Sequence, residues 1–109
     1  MEKVCDVSDL KEGKMRGFTV KHSYILLANV NGRFYAVNAI CPHMGGFLPI
    51  GSLKNNIIIC PVHGSQYDVT TGKLVKDIPT ITKLATGGGS HDLDSFPVTV
   101  KDDAVFIEL

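Results

Sequence analysis

Four residues of types that commonly bind metals form two pairs in the middle of this sequence. Cys41 and His43 are separated by one residue, and Cys60 and His63, which follow after a further sixteen residues, are separated by two. Each pair supplies one thiolate and one imidazole, which suit zinc and iron–sulfur chemistry. Glycine follows each pair and lets the backbone turn tightly around a buried ion. The spacing therefore predicts two loops that face each other across a metal centre.

Two kinds of metal centre compete for these ligands. The first is a structural zinc site of the Cys₂His₂ type, but zinc fingers usually place two cysteines together and then two histidines together. The second is a [2Fe–2S] cluster in which two cysteines hold one iron and two histidines hold the other. A mixed pair on each loop suits the cluster, because each loop then spans the dinuclear centre. Both interpretations stay open at this point.

The residues around the two pairs resemble a known family. The run CPHMGG followed by CPVHGSQYD is similar to the Rieske [2Fe–2S] motif, and the second half extends beyond the ligands themselves. The resemblance implies one bound [2Fe–2S] cluster, with Cys41 and Cys60 on the buried iron and His43 and His63 on the outer one. It also implies an all-β fold, an antiparallel β-sandwich or barrel with a small cluster-binding subdomain of two loops.

Residues beside the ligands bear on the reduction potential. Ser65 and Tyr67 match the family positions whose hydroxyls hydrogen-bond a bridging sulfide and the sulfur of the first cysteine, here Cys41. Such bonds stabilise the more negative, reduced state and raise the potential within a range of about −150 to +300 mV. Gly46 and Val62 occupy positions where respiratory-chain Rieske proteins carry a disulfide. The resemblance is therefore to the soluble ferredoxin branch that lacks it.

Short strands are predicted to position these loops. Alternating or β-branched runs indicate strands at residues 2–7, 15–21, 23–30, 33–37, 57–59, 66–69, 94–100 and 104–109. Asn31-Gly32 predicts a type I′ hairpin. A turn, or one helical turn capped by Ser8 or Asp9, is expected after the first strand. No amphipathic helix is predicted, and residues 79–91 are expected to form a loop.

Composition bounds the domain count and the class of partner. The chain has 109 residues, with eleven basic and eleven acidic side chains. We expect one domain over residues 1–109, with the cluster-binding subdomain at about residues 40–70. A neutral chain gives no support for nucleic-acid binding, which needs a basic footprint. With no visible signal peptide or membrane-spanning run, we expect a cytoplasmic protein that does not bind membranes.

These features predict a Rieske-type ferredoxin, which is an electron carrier and not an enzyme. The resemblance implies that it passes one electron from a reductase to a terminal acceptor such as an oxygenase, and we expect a monomer. One alternative is a small Rieske subunit of a larger oxidoreductase of the nitrite reductase type, with the same ligands and a different partner. A second alternative is a structural zinc-binding β-domain.

Overall fold

The computed structural model describes residues 1–42, 45–62 and 64–109, which form eleven strands and one short α-helix. In chain order the elements are β1 (Glu2–Asp6), β2 (Met15–Val20), β3 (Ser23–Val30), β4 (Arg33–Asn38), β5 (Ser52–Lys54), β6 (Ile57–Ile59), β7 (Gln66–Asp68), β8 (Leu74–Lys76), α1 (Thr80–Thr86), β9 (Ser95–Phe96), β10 (Val98–Lys101) and β11 (Ala104–Ile107). Within these described residues the strands build three antiparallel sheets, ordered β1–β11–β10, β2–β3–β4–β9 and β5–β6–β7–β8. The predicted all-β class is confirmed.

The second sheet is built around the hairpin β3–β4. Its turn has positive φ at both central residues, 54° at Asn31 and 87° at Gly32, as a type I′ turn requires. Strand β3 is buried on both faces, and successive side chains on a strand point to opposite faces. Leu26 packs into the core that contains Cys41 and Cys60, whereas Leu27 packs into a separate core. The two cores therefore share β3 as a common wall.

The two metal-ligand pairs start where strands end. Cys60 follows β6 directly, and Cys41 follows β4 after two residues. The short strand β6 is made of three isoleucines, which suit a pleated, partly buried surface. It pairs with β5 through a turn in which Asn55 has a φ of 55°. The sheet β5–β8 and the end of β4 thus bring the two loops to one end of the core that holds Leu26.

One prediction for the later part of the chain is wrong. Residues 79–91 are not a continuous loop, because Thr80–Thr86 form the α-helix α1. The helix ends at Gly87, which has a left-handed φ of 85° and donates its N–H to the carbonyl of Lys83. Ile81 and Leu84 are 77% and 81% exposed. The helix thus presents no buried apolar stripe at these positions, although Ile81, Leu84 and Ala85 have the i, i+3, i+4 spacing of an amphipathic helix.

Smaller differences concern element ends. Strands β5 and β8 were not predicted. The strand expected over residues 94–100 is divided at Pro97 into β9 and β10, since proline cannot donate to a ladder. The first turn is a 3₁₀ helix that begins after Asp6, not after Ser8 or Asp9, and the Asp9 carboxylate accepts the N–H of Asp6 at 2.9 Å.

No helix of the described residues is long and apolar enough to cross a membrane.

Candidate metal centre

The two loops that carry the cysteines are closed by equivalent backbone hydrogen bonds. The N–H of Cys41 donates to the carbonyl of Gly46 at 2.7 Å, and the N–H of Cys60 donates to the carbonyl of Ser65 at 2.8 Å. In both cases the acceptor lies five residues after the cysteine. The strand pairing continues just outside each closure, at the bridge between residues 40 and 47 and in the β6–β7 ladder between residues 59 and 66. Each loop is therefore the tip of a small hairpin with a cysteine at its first position.

The fifth position of each loop is a glycine in a left-handed conformation. The φ angle is 69° at Gly45 and 80° at Gly64. A Cβ at either position would meet no atom within 4 Å, so the backbone angle, and not space, calls for glycine. The expectation that glycine lets each loop turn is confirmed. The two loops thus share a left-handed glycine immediately before the residue whose carbonyl closes the loop.

Gly46 shows how closely the loops approach each other. A Cβ placed on this residue would lie 2.9 Å from Sγ of Cys60 and 2.8 Å from Cγ2 of Val62. Both distances are below normal contact, so only glycine fits without a shift of the neighbouring loop. The first loop thus lies directly against the second, as the sequence predicted. The absence of a side chain at Gly46 leaves the Cys60 sulfur accessible from the first loop.

The two cysteines of the loops are buried in one core. Cys41 is 1% exposed and Cys60 is 3% exposed, and both pack with Tyr67 and Leu48. All three cysteines of the chain are among the described residues, and none forms a disulfide. Cys5 lies in the other core and is also buried. The structure therefore separates the two candidate ligands from the third thiol.

The histidines of the two pairs, His43 and His63, lie outside the described residues, as does Met44. The imidazole half of the site therefore stays a prediction from the sequence. The described half consists of two buried sulfur atoms on facing loops, which is half of a four-ligand set.

Tyr67 lies next to the first cysteine, as the sequence resemblance implied. Its Oη is 3.1 Å from Sγ of Cys41, and the side chain is fully buried. Burial of the phenol, together with this hydrogen bond, raises the pKa of Tyr67 above its usual value of about 10. The phenol therefore keeps its proton at neutral pH. Because a metal-bound cysteine is a thiolate without a proton, Tyr67 is the donor when metal is bound.

Ser65 is the second hydroxyl that the resemblance singled out. It is fully buried, and its Oγ has no hydrogen-bond partner among the described residues. A buried hydroxyl without a partner costs about 1–3 kcal/mol, so native proteins rarely keep one. An inorganic sulfide bound between the loops would supply the missing acceptor. The chemistry of this residue thus fits an iron–sulfur cluster.

A further hydroxyl was missed by the sequence analysis. Ser90 Oγ forms a hydrogen bond with Tyr67 Oη, on the phenol that contacts Cys41. Ser90 follows the glycine run Gly87–Gly89, and no local signal separates it from an ordinary loop serine. Only the long-range contact between residues 67 and 90 identifies it.

The fold and the paired loops define a β-protein built to hold a metal centre between two cysteine-bearing loops. The sequence model of the Rieske [2Fe–2S] domain family matches residues 1–97, and the chain belongs to this family. The cofactor of the family is the Rieske [2Fe–2S] cluster. The buried sulfurs, the facing loops and the unpartnered Ser65 hydroxyl fit that cluster, which is favoured over the structural zinc alternative.

Individual relatives indicate the kinds of protein that carry this domain. The ferredoxin component of biphenyl 2,3-dioxygenase from Rhodococcus jostii (strain RHA1) is 31% identical over 109 residues, covering 100% of this chain and 92% of the relative. Human apoptosis-inducing factor 3 is 34% identical over 104 residues, covering 95% of this chain. This chain spans only 16% of the length of that protein.

Solved structures give the same picture for the fold. A chain from a complex of reduced oxygenase and oxidized ferredoxin in carbazole 1,9a-dioxygenase superposes with a TM-score of 0.82 at 30% identity, covering 97% of this chain and 99% of that one. The Sphingomonas yanoikuyae B1 ferredoxin superposes with a TM-score of 0.83 at 26% identity, covering 98% and 96%. The chain is therefore similar to complete Rieske ferredoxins.

Proposed function

We propose that this chain is the ferredoxin component of a Rieske oxygenase system and carries single electrons from a reductase to a terminal oxygenase. In this proposal Cys41 and Cys60 hold one iron of the cluster, and His43 and His63 hold the other. The chain transfers electrons and does not itself transform a substrate. Residues 1–109 act as one domain, in which the two loops and the sheet beneath them hold the cluster.

The observation that carries this proposal is the mutual coverage with ferredoxin components. This chain and the biphenyl dioxygenase ferredoxin component match over 100% and 92% of their lengths. The naphthalene 1,2-dioxygenase ferredoxin component of Pseudomonas putida is 30% identical, with 94% and 89% coverage. By contrast, the match to human apoptosis-inducing factor 3 is confined to a small part of that protein. Both ferredoxin components match over nearly their whole length, which supports the role of an electron carrier between two proteins.

The residues of the site have distinct tasks in this function. A bound [2Fe–2S] cluster accepts and returns one electron. The two cysteine thiolates neutralise the charge of the oxidised core, and neutral imidazoles add none, which favours reduction relative to a four-cysteine site. The burial of Cys41 and Cys60 excludes water from their side of the site. Tyr67 donates a hydrogen bond to Cys41, and the buried Ser65 hydroxyl would donate a second bond to the cluster.

Metal and sulfide content test the ligand assignment. Protein purified without air should contain iron and acid-labile sulfide at about two each per chain and no stoichiometric zinc. Cys60→Ser should lose this content together with the visible absorbance. Cys5→Ser is the matched control, because Cys5 is also a buried cysteine but lies in the other core, and it should retain the cluster. Zinc in place of iron, or loss of iron in Cys5→Ser alone, would contradict the assignment.

Electron transfer tests the role of carrier. The reduced protein should be reoxidised by the terminal oxygenase of a Rieske dioxygenase system and re-reduced by the reductase of that system. A stable large subunit that copurifies at equal stoichiometry would instead favour the small-subunit alternative. We also propose that the chain acts in the cytoplasm, a reducing compartment in which its three free cysteines would not form disulfides, and that it acts as a monomer. Light scattering of the purified protein tests the monomer.

A further inference from the structure

Residues 77–90 form a segment whose two ends are joined by a hydrogen bond, and its last residue places one hydroxyl near the candidate metal centre. The segment begins at Asp77, includes the helix α1 and ends at Ser90. At its end, Ser90 Oγ forms a hydrogen bond with Oη of Tyr67, and the same Oη lies 3.1 Å from Sγ of Cys41. Three side chains from distant parts of the sequence thus form one line of contacts that ends on a proposed ligand.

Asp77 fixes the position of Ser90. Its Oδ1 accepts the backbone N–H of Ser90 at 3.0 Å and that of Ile78 at 2.7 Å, while Oδ2 lies 3.4 Å from Nζ of Lys83 on α1. The hydrogen bond from Ser90 is the main cause that lowers the pKa of Asp77, so this carboxylate stays ionised and keeps both backbone contacts. The backbone of Ser90 is therefore held by Asp77, and the Ser90 side chain forms its hydrogen bond with Tyr67.

Gly89 makes this anchoring possible. A Cβ on Gly89 would lie 2.5 Å from Oδ2 of Asp77 and 3.1 Å from Cε of Lys83, so a side chain here would displace the carboxylate from its present position. The glycine run before Ser90 is therefore more than a flexible connection. It allows the backbone to pass close to Asp77 and turn the next residue towards Tyr67.

The direction of the hydrogen bonds follows from the number of protons. A phenol has one proton, and Tyr67 donates it to the thiolate of Cys41 when metal is bound. Its oxygen can then only accept, so the Ser90 hydroxyl must be the donor. Hydrogen bonds in a chain polarise one another and strengthen, especially in a buried setting. A donor on the Tyr67 oxygen therefore strengthens the bond from Tyr67 to the sulfur.

We infer that Ser90 is a positioning residue that raises the reduction potential of the cluster through Tyr67, and that Asp77 holds it in place. The inference rests on the proposed function, because it requires that Cys41 binds the cluster. Negative charge on the cysteine sulfur increases on reduction, so a stronger bond from Tyr67 stabilises the reduced state more than the oxidised one. The potential of this protein is then raised in part by a third hydroxyl, which acts on the Cys41 sulfur through Tyr67.

The test is a set of reduction potentials measured on loaded protein, meaning protein that contains the cluster. Circular dichroism monitors the redox titration. Ser90→Ala should shift the potential downward, by less than Tyr67→Phe does, and Ser90→Thr, which keeps a hydroxyl, should restore most of the shift. Ser8→Ala removes an exposed serine at the start of the chain and should leave the potential unchanged. In a Tyr67→Phe background, Ser90→Ala should cause no further shift, because its target is gone.

Two results would overturn the inference. One is a loaded Ser90→Ala protein with the wild-type potential, and the other is an equal shift with and without Tyr67, which would show that Ser90 acts by another route. If Ser90→Ala does not hold the cluster, Asp77→Ala tests the same contact by releasing Ser90 with its hydroxyl intact, and an unchanged potential there also overturns it. Wild-type protein without iron and sulfide would refute the proposed function itself, whereas loaded protein with unchanged potentials refutes only this inference.

Discussion

The replacement Tyr67→Phe removes one hydroxyl from the buried centre of the site. The phenol is fully buried and bridges Cys41 Sγ, at 3.1 Å, and Ser90 Oγ. Phenylalanine keeps the ring and its packing, so the core around the cysteines should stay filled. The change therefore isolates the hydrogen bond to sulfur from the packing of the side chain.

The size of the effect follows from the charge on the sulfur. A hydrogen bond contributes about 0.5–1.5 kcal/mol with a neutral partner and about 1.5–3 kcal/mol with a charged one, a difference of about 1 kcal/mol. Reduction moves the cysteine sulfur of Cys41 towards the charged case. In a one-electron couple about 59 mV corresponds to a tenfold change, or about 1.4 kcal/mol, so a difference of about 1 kcal/mol is roughly 40 mV. Tyr67→Phe should lower the potential by about that amount.

The measurement is a redox titration at fixed neutral pH, with iron and sulfide content determined on the same sample. Tyr24→Phe is the matched control, because it removes a tyrosine hydroxyl from a side chain that is 57% exposed. The control should keep the wild-type potential. A fully loaded Tyr67→Phe protein with an unchanged or higher potential would falsify the reasoning, since the hydrogen bond would then not discriminate between the two redox states.

Three other outcomes are expected. Ser65→Ala should lower the potential of loaded protein by a similar amount, roughly 40 mV, because it removes a buried hydroxyl whose proposed acceptor is a bridging sulfide; the same potential as wild type would argue against that acceptor. The pair Gly46→Cys and Val62→Cys should form a disulfide, since an ideal Cβ on Gly46 lies 3.5 Å from the Val62 Cβ, inside the range for bridged cysteines. Alkylation and mass spectrometry of the unreduced double variant test this, and each single variant is its control. Leu26→Ala and Leu27→Ala should each cost about 2–5 kcal/mol in urea unfolding, as both are fully buried. Only Leu26→Ala should weaken cluster retention, because only its face of β3 packs with the proposed ligands.

The sequence predicted the parts of the fold that have a local cause. The hairpin β3–β4 has the predicted strand Ser23–Val30 and the predicted turn at Asn31-Gly32, because alternation, β-branched residues and an Asn-Gly turn all act over a few residues. The contact of Tyr67 with Cys41 was also predicted, but only through the family resemblance. Nothing in the local sequence of either residue indicates that they meet.

The helix α1 was not predicted because it is held by its two ends and by an ion pair, and not by a buried apolar face. Its apolar residues Ile81 and Leu84 have helical spacing but are exposed, so burial of this stripe does not hold the helix in place. The helix is instead bounded by Pro79 and Gly87 and tied to Asp77 by an ion pair from Lys83. A proline before and a glycine after a short run without other helix breakers is a signal for a helix. The strands β5 and β8 carry only three residues each and depend on their neighbours in the sheet.

The site itself divides into a part given by backbone hydrogen bonds and glycine conformations and a part given by the positions of the ligands in the sequence. Both loops close with a hydrogen bond from the cysteine to the residue five positions later, and both have a left-handed glycine at the fifth position. Yet the histidine is the third residue of the first loop and the fourth of the second. The spacing between cysteine and histidine is therefore not what the two loops share. What they share is a backbone closure set by hydrogen bonds and glycine. That closure positions the two sulfurs independently of which loop position carries the imidazole. Ligand spacing alone therefore did not distinguish a zinc site from an iron–sulfur cluster.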